Sequence, residues 1–341
     1  MRPHVLVARL DNNGDVLLAG PAIRAVADGA RCVTLLCGPR GQDAARLLPG
    51  VDELVVFLAP WIDPEPQSVD PLGIDALVQD VRQRAIDQAL ILTSFHQSAL
   101  PLALLLRLAG VPVIAAISPD YPGSLLDVRH QVSDDIHEVE RNLSLAATLG
   151  YRLPPGDDGR LQVKRAPVAA ELPYVVVHPG ASAPARTWPA SSHRELVRAL
   201  VDAGRRVVVT GGPGEADLTA SVAAGNPLVT DLGGRIGMAQ LADVLAAAEV
   251  VVVGNTGPAH LAAAVGTPVV SLFAPVVPAG RWRPWRVPHI LLGDQQAACA
   301  NSRARQCPIE GHPCLSSVSV EEVIAAVDRL SSAAARREMA S

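Results

Sequence analysis

Four consecutive valines, Val250 to Val253, run straight into Gly254-Asn255-Thr256-Gly257-Pro258, and an alanine-rich stretch follows at once. An apolar run without alternation reads as a strand covered on both faces. Pro258 suits the first turn of a helix, where its missing N–H costs nothing, and Asn255 or Thr256 can cap that turn. A second apolar run, Pro268 to Phe273, arrives after one short helix. The unit is therefore βαβ, and its two strands must be parallel. Its first loop lies at the strands' carboxyl ends, where unpaired N–H groups and a positive helix end hold an anionic group such as a phosphate. His260, on the first helical turn, faces the same place.

The same rhythm fills the rest of the chain. Strands are expected at His4–Arg9, Val33–Cys37, Glu53–Phe57, Ala89–Thr93 and Val113–Ile117. Helices are expected at Val16–Ala27, near Gln42–Leu47, and at Ile74–Ile86, Ala99–Leu108 and Asp134–Leu149. Ala59 to Gly73, rich in Pro and Asp, reads as an exposed loop. Gly150 to Pro173 contains PPGDDG without periodicity and reads as a linker. Beyond it come strands Tyr174–His178, Arg206–Thr210 and His289–Leu292, and helices Ser192–Ala203, Glu215–Ala224, Met238–Ala247 and Val320–Leu330, with a frayed tail. Alternation of this kind gives a doubly wound parallel sheet in each half. The expected domains are 1–165 and 172–341, two Rossmann-like halves facing a cleft, and 341 residues suffice for two such cores.

Composition narrows the chemistry. Hydrophobic residues make up 49% of the chain but aromatics only 3%, which favours small-residue helices on valine-rich strands. A formal charge of −5 argues against nucleic acid as a partner. Lys164 is the sole lysine, so a Walker-type phosphate loop is excluded. The start, MRPHVLVARL, lacks the pattern of a secretory signal, and no apolar run is long enough to span a bilayer. The expected location is cytoplasmic, with peripheral membrane contact left open, and the five cysteines are expected mostly as thiols.

Five loops at strand ends carry candidate chemistry. Asp11-Asn12-Asn13-Gly14-Asp15 follows the first strand, and Asp15 either caps the next helix or serves as a carboxylate base. Ser94-Phe95-His96-Gln97-Ser98 brings His96 to the same edge, as a surface histidine or an acceptor contact. In the second half, His178-Pro179-Gly180-Ala181-Ser182 leads to Arg186-Thr187-Trp188-Pro189; an arginine there can bridge two phosphate oxygens. Thr210-Gly211-Gly212-Pro213-Gly214-Glu215 lacks the full dinucleotide spacing, and Glu215 either tends its helix start or accepts two hydroxyls. Gly254 to His260 is the fifth.

GNTGPAHLAAAVGTPVVSLF resembles the donor-site segment of the ADP-heptose:lipopolysaccharide heptosyltransferase family, glycosyltransferase family nine. NNGDVLLAGPAIRA, HPGASAPARTWP, TGGPGE and DDIHEVERNLSLAATLG resemble further segments of that family, and SFHQS does so loosely. The resemblance implies a GT-B fold and an inverting, metal-independent transfer of a heptose or similar sugar from an ADP- or other nucleotide sugar. It makes Asp15 the catalytic base, with Asn13, Gly14 and His96 on the acceptor side. Arg186, Asn255, Thr256, Gly257 and His260 would hold the donor's diphosphate and sugar, and Gly180, Ser182, Gly212 and Glu215 its nucleotide. Asn255 departs from the acidic residue common in relatives, and Asn12 and Asn13 stand where small hydroxyl residues are usual. The charges of Asp134–Leu149 read as a solvated helix face.

No cofactor is expected, and no Asp-x-Asp motif offers a metal-held diphosphate. Cys299, Cys307, His312 and Cys314 could build a tetrahedral metal site or a packed thiol cluster, and the spacing matches no CxxC knuckle. The expected partners are a nucleotide-sugar donor and a glycan, lipid-linked or small-molecule acceptor. A sugar-nucleotide isomerase or hydrolase on the same fold, and a non-catalytic nucleotide-sugar binder, are the alternative functions.

Overall fold

Parallel strands need crossover connections, and this chain supplies a helix for nearly every one. The computed structural model describes residues 1–63, 65–94, 96–166 and 173–338, with side chains to residue 332. Residues 167–172 of the expected linker, Phe95 in the expected acceptor loop and the last three residues of the tail lie outside that set. The chain divides into two compact units, residues 1–164 and 165–341.

Unit 1 runs β1 (His4–Arg9), α1 (Asn13–Gly29), β2 (Cys32–Cys37), α2 (Gln42–Leu47), β3 (Glu53–Val56), α3 (Pro71–Gln83), β4 (Gln88–Ile91), α4 (Leu100–Leu108), β5 (Val113–Ile117), β6 (Val128–His130) and α5 (Glu138–Thr148). Its six strands lie in the order β3-β2-β1-β4-β5-β6, and each pairs in parallel with its neighbours. All six residues of β1 are buried, as a central strand between two helical layers requires.

Unit 2 runs β7 (Val175–His178), α6 (Ala190–Asp202), β8 (Val207–Val209), α7 (Ala216–Ala223), β9 (Val229–Asp231), α8 (Met238–Ala246), β10 (Val250–Gly254), α9 (Gly257–Val265), β11 (Val269–Leu272), α10 (Ala279–Trp282), β12 (His289–Leu292), α11 (Pro313–Ser316) and α12 (Val320–Glu338). The order is β12-β11-β10-β7-β8-β9, again parallel throughout. Val250 pairs with Val175 and Val251 with Val269, so the valine run is the inner strand its composition implies. Both sheets reverse winding beside their first strand, between β1 and β4 in unit 1 and between β7 and β10 in unit 2. Loops leaving those strands splay apart there and leave a crevice at the carboxyl edge.

Several expectations are corrected. Residues 150–164 form no loose linker. Arg24 donates from Nε and Nη2 to the two oxygens of Asp157, at 2.7 and 2.9 Å, and Tyr151 and Leu161 are buried, so the segment packs onto unit 1. Proline and glycine content conceals this, because one long-range bidentate ion pair fixes the segment. Helix α1 starts at Asn13 rather than Val16, which places Asp15 inside its first turn. Helix α3 begins at Pro71, inside the expected loop, where Asp70 caps by accepting from the Leu72 N–H. Helix α5 starts only at Glu138, because His137 caps it through a reciprocal box with Glu140. The edge strands β6 and β9 are three residues each and only partly buried, too short and mixed to register as apolar runs. Helix α12 continues beyond Leu330 and reaches Glu338 in place of fraying.

Candidate active site

In unit 1 the switch point is built around Arg9, the last residue of β1. Its guanidinium is wholly buried and meets three carboxylates. Nε stands 2.8 Å from Asp11 Oδ2, Nη2 is 3.1 Å from Asp15 Oδ1, and Nη1 is 3.5 Å from Glu138 Oε2. Nη2 also donates to Ser94 Oγ at 2.8 Å, from the loop after β4. Ser94 Oγ reaches Asp11 at 3.3 Å, and the Gln97 amide donates to the other Asp11 oxygen. Burial penalises the Arg9 charge, but Asp11, Asp15 and Glu138 more than offset that and raise its pKa. For Asp11 burial prevails instead and lifts its carboxyl to about 6, against the downward pull of Arg9. Of the three carboxylate side chains, Asp11 is 5% exposed, Glu138 0% and Asp15 19%. Asp15 is the carboxylate that solvent reaches.

The other expected unit 1 residues divide. Asn13 Oδ1 accepts the Ala44 N–H at 3.1 Å and so ties α1 to α2. Gly14 is buried in the first turn of α1, and His96 is exposed. The solvated-face reading of Asp134–Leu149 holds for Asp134, Asp135 and Glu140, which are exposed, and fails for Glu138 and Arg141, which are 0% and 4% exposed. The residues that sequence reasoning misses are Arg9, Ser94, Gln97 and Glu138. A charged residue at the end of a fully apolar strand was the available signal for Arg9.

In unit 2 the loops leaving β7 and β10 carry the expected donor residues. The chain after β7 makes a single tight turn over Pro184–Arg186. It returns so close that a Cβ on Gly254 would stand 2.8 Å from the Arg186 carbonyl oxygen. Arg186 is thereby brought to the β10–α9 loop. Helix α9 begins there with Thr256 as N-cap, Pro258 in the first turn and no side-chain cap bond. Thr256 Oγ1 is buried with no hydrogen-bond partner among the described residues. His260 sits in the first turn, 5% exposed. Asn255 faces inward: its Nδ2 donates to the Ala274 carbonyl and its Oδ1 accepts the Ala274 N–H, both at 3.3 Å. It stitches the ends of β10 and β11 together, which a carboxylate could not do from both sides.

Gly180 and Glu215 belong together, because a Cβ on Gly180 would overlap the Glu215 carboxyl. Glu215 Oε2 accepts the Gly212 N–H at 2.7 Å and lies 3.8 Å from His178 Nε2. Burial pushes the His178 pKa down, with Glu215 opposing, and His178 Nδ1 pairs with Thr210 Oγ1 at 3.0 Å. Ser182 is exposed, and its carbonyl accepts from Arg305 at 3.4 Å.

The cysteines and histidine near the end of unit 2 have partners of their own. His312 Nε2 faces the Ala185 carbonyl at 3.1 Å, and Cys307 Sγ donates to the Ile309 carbonyl at 3.3 Å. Cys299 and Cys314 are buried in the core, and burial with the neighbouring thiols lifts Cys314 to about 11. Among the described residues, His4, Cys32 and Glu53 do bring three ligand atoms within 4.8 Å. Two of the three have other partners: Arg84 and Thr34 hold Glu53, and His4 faces the Arg84 carbonyl and Thr34 Oγ1.

The family model described as glycosyltransferase family 9 (heptosyltransferase) matches residues 74–312. The chain belongs to that family. The matched span holds Arg186, Glu215 and the β10–α9 loop, and begins after Asp15. Lipopolysaccharide heptosyltransferase 3 of Escherichia coli is 31% identical over 208 residues, 56% of this chain and 59% of that protein. Lipopolysaccharide heptosyltransferase 1 of Pseudomonas aeruginosa is 28% identical over 303 residues, covering 80% of this chain and 79% of the relative. The solved ADP-heptose lipopolysaccharide heptosyltransferase II of E. coli superposes with a TM-score of 0.75 at 21% identity, over 96% of this chain and 98% of the other. The two parallel α/β units thus have the GT-B fold of family 9 structures. Among the described residues, no helix is long and apolar enough to cross a membrane.

Proposed function

We propose that this family 9 member is an inverting, metal-independent heptosyltransferase that uses ADP-heptose and a hydroxyl of a lipopolysaccharide-type acceptor. The ADP-heptose enzyme of the same fold supports the choice of donor, and the lipopolysaccharide heptosyltransferases among the relatives support the acceptor. The observation that carries the reading is the seating of the Arg186 backbone on Gly254, beside the uncapped start of α9. An arginine whose backbone rests beside a helix N-terminus at a switch point suits a diphosphate.

The acceptor oxygen attacks the anomeric carbon as the bond to the β-phosphate oxygen breaks. Configuration inverts because attack and departure take opposite faces. The acceptor proton passes to the Asp15 carboxylate, and ADP leaves with the bonding electron pair. Arg186, the Gly257 end of α9 and His260 stabilise that departing charge, in place of a divalent cation. Glu215 takes the ribose hydroxyls, and Gly180, Ser182 and Gly212 line the nucleotide. Residues 1–164 serve the acceptor and residues 165–341 the donor.

The test is ADP release from ADP-heptose with heptose-free core lipopolysaccharide, with and without EDTA, followed by NMR of the product's anomeric centre. Acceptor-dependent, EDTA-resistant release with inverted configuration is expected. Release without acceptor, retained configuration, or abolition by EDTA would each overturn its own part of the reading.

A further inference from the structure

Arg9 has no exposed surface, so no substrate can touch it, yet it contacts carboxylates from three places in the chain. Asp11 lies two residues on, Asp15 lies in the first turn of α1, and Glu138 opens α5. One cation faces three carboxylates, an arrangement that is unfavourable when buried unless each member is closely paired. The guanidinium is planar, and its three nitrogens point in fixed directions. Nη1 donates to Glu138 at 3.5 Å, and the Asp11 carboxylate lies against the other edge as an ion pair, 2.8 Å from Nε; both side chains are buried. Asp11 is itself held by Gln97 and Ser94 from the loop after β4. With the planar group held between Glu138 and the Asp11 charge, Nη2 donates to Asp15 and Ser94.

We propose that Arg9, oriented by Asp11 and Glu138, is a positioning residue that fixes the direction in which the Asp15 carboxylate faces. The proposal rests on Asp15 as the base of the transfer reaction and concerns what holds that base in place. Arg9 contacts both Glu138 and Asp15, although 123 positions separate the two carboxylates in the chain. A lysine at position 9 would present a point charge and could not serve three directions at once. The helix start by itself leaves the Asp15 side chain a choice of rotamers, and the Nη2 contact selects one.

The experiment measures steady-state turnover of the full chain with ADP-heptose as the varied substrate and heptose-free core lipopolysaccharide held constant. Arg9→Lys and Glu138→Gln are compared with wild type and with Asp15→Asn, and ADP affinity is measured by calorimetry on each. The expected result is a fall in kcat of tenfold or more for both variants, with the KM for ADP-heptose and the ADP affinity within twofold of wild type. A general packing role would move donor affinity and thermal midpoint together with kcat, and that outcome overturns the proposal. Wild-type kcat in either folded variant, with Asp15→Asn inactive, overturns it alone and leaves the base assignment standing. Normal turnover in Asp15→Asn overturns the base assignment instead. Should neither charge variant fold, Ser94→Ala removes one Arg9 contact without unbalancing charge, and the same kcat-only loss is required of it.

Discussion

The Arg186 carbonyl oxygen lies 2.8 Å from where a Cβ on Gly254 would stand, so the turn after β7 rests on the bare backbone at the end of β10. Contact at that distance is tighter than a methyl group tolerates, and backbone on both sides leaves no flexible side chain to move. Gly254→Ala therefore pushes the Pro184–Arg186 turn away from α9. ADP affinity should fall about tenfold or more, roughly the worth of one charge-assisted contact. Arg186→Ala should lose a similar amount, and the double variant little beyond either, because both remove the same contact. Calorimetry with ADP on the three variants checks this; additive losses would show that Gly254 and Arg186 act separately.

Asn255 holds both backbone groups of Ala274. Asn255→Asp restores the residue type usual in the family but can only accept, leaving a buried carboxylate oxygen against the Ala274 carbonyl. The cost should be about 1–3 kcal/mol of stability, that of one buried unsatisfied pair. Chemical denaturation at neutral pH measures it. A variant as stable as wild type would mean that the β10–β11 stitch contributes nothing.

Much of this architecture can be read from residues alone. Val250–Val253 and the apolar β1 declare inner strands because an unalternated run needs cover on both faces, and the loops leaving them then fall at the sheet's carboxyl edge. The β10–α9 loop, the Arg186 turn and Asp15 are legible for that reason. The partners of Arg9 are not, because 129 positions separate Arg9 from Glu138, and no local period reports so distant a pairing. On its own helix Glu138 looks like one more charge of a solvated face. Residues 150–164 mislead in the same way: Pro154, Pro155 and Gly156 announce a linker, while Asp157 is held by Arg24 from α1.

Asp15→Asn keeps the side chain's shape and removes its capacity to take a proton. Turnover with ADP-heptose should fall by roughly 10²–10⁴-fold, the usual range for a positioned acid or base. ADP affinity should not change, since the residues proposed to hold ADP lie in unit 2. A parallel loss of ADP affinity would show that Asp15 serves the donor.

Asp11 sets a pH dependence of stability. Its carboxyl titrates at about 6 in the folded chain against an ordinary value of 3.8, chiefly because it is buried. The folded state therefore binds its proton more tightly than the unfolded chain does. That contribution is fully present below about pH 4 and is lost as pH rises through about 6. Between those limits wild type should lose on the order of 3 kcal/mol relative to Asp11→Asn, which stays neutral throughout. Denaturation midpoints of both proteins at pH 4, 5, 6 and 7 give the difference directly. Parallel curves would mean that the attraction of Arg9 cancels the cost of burial, and an opposite slope would mean that it outweighs burial.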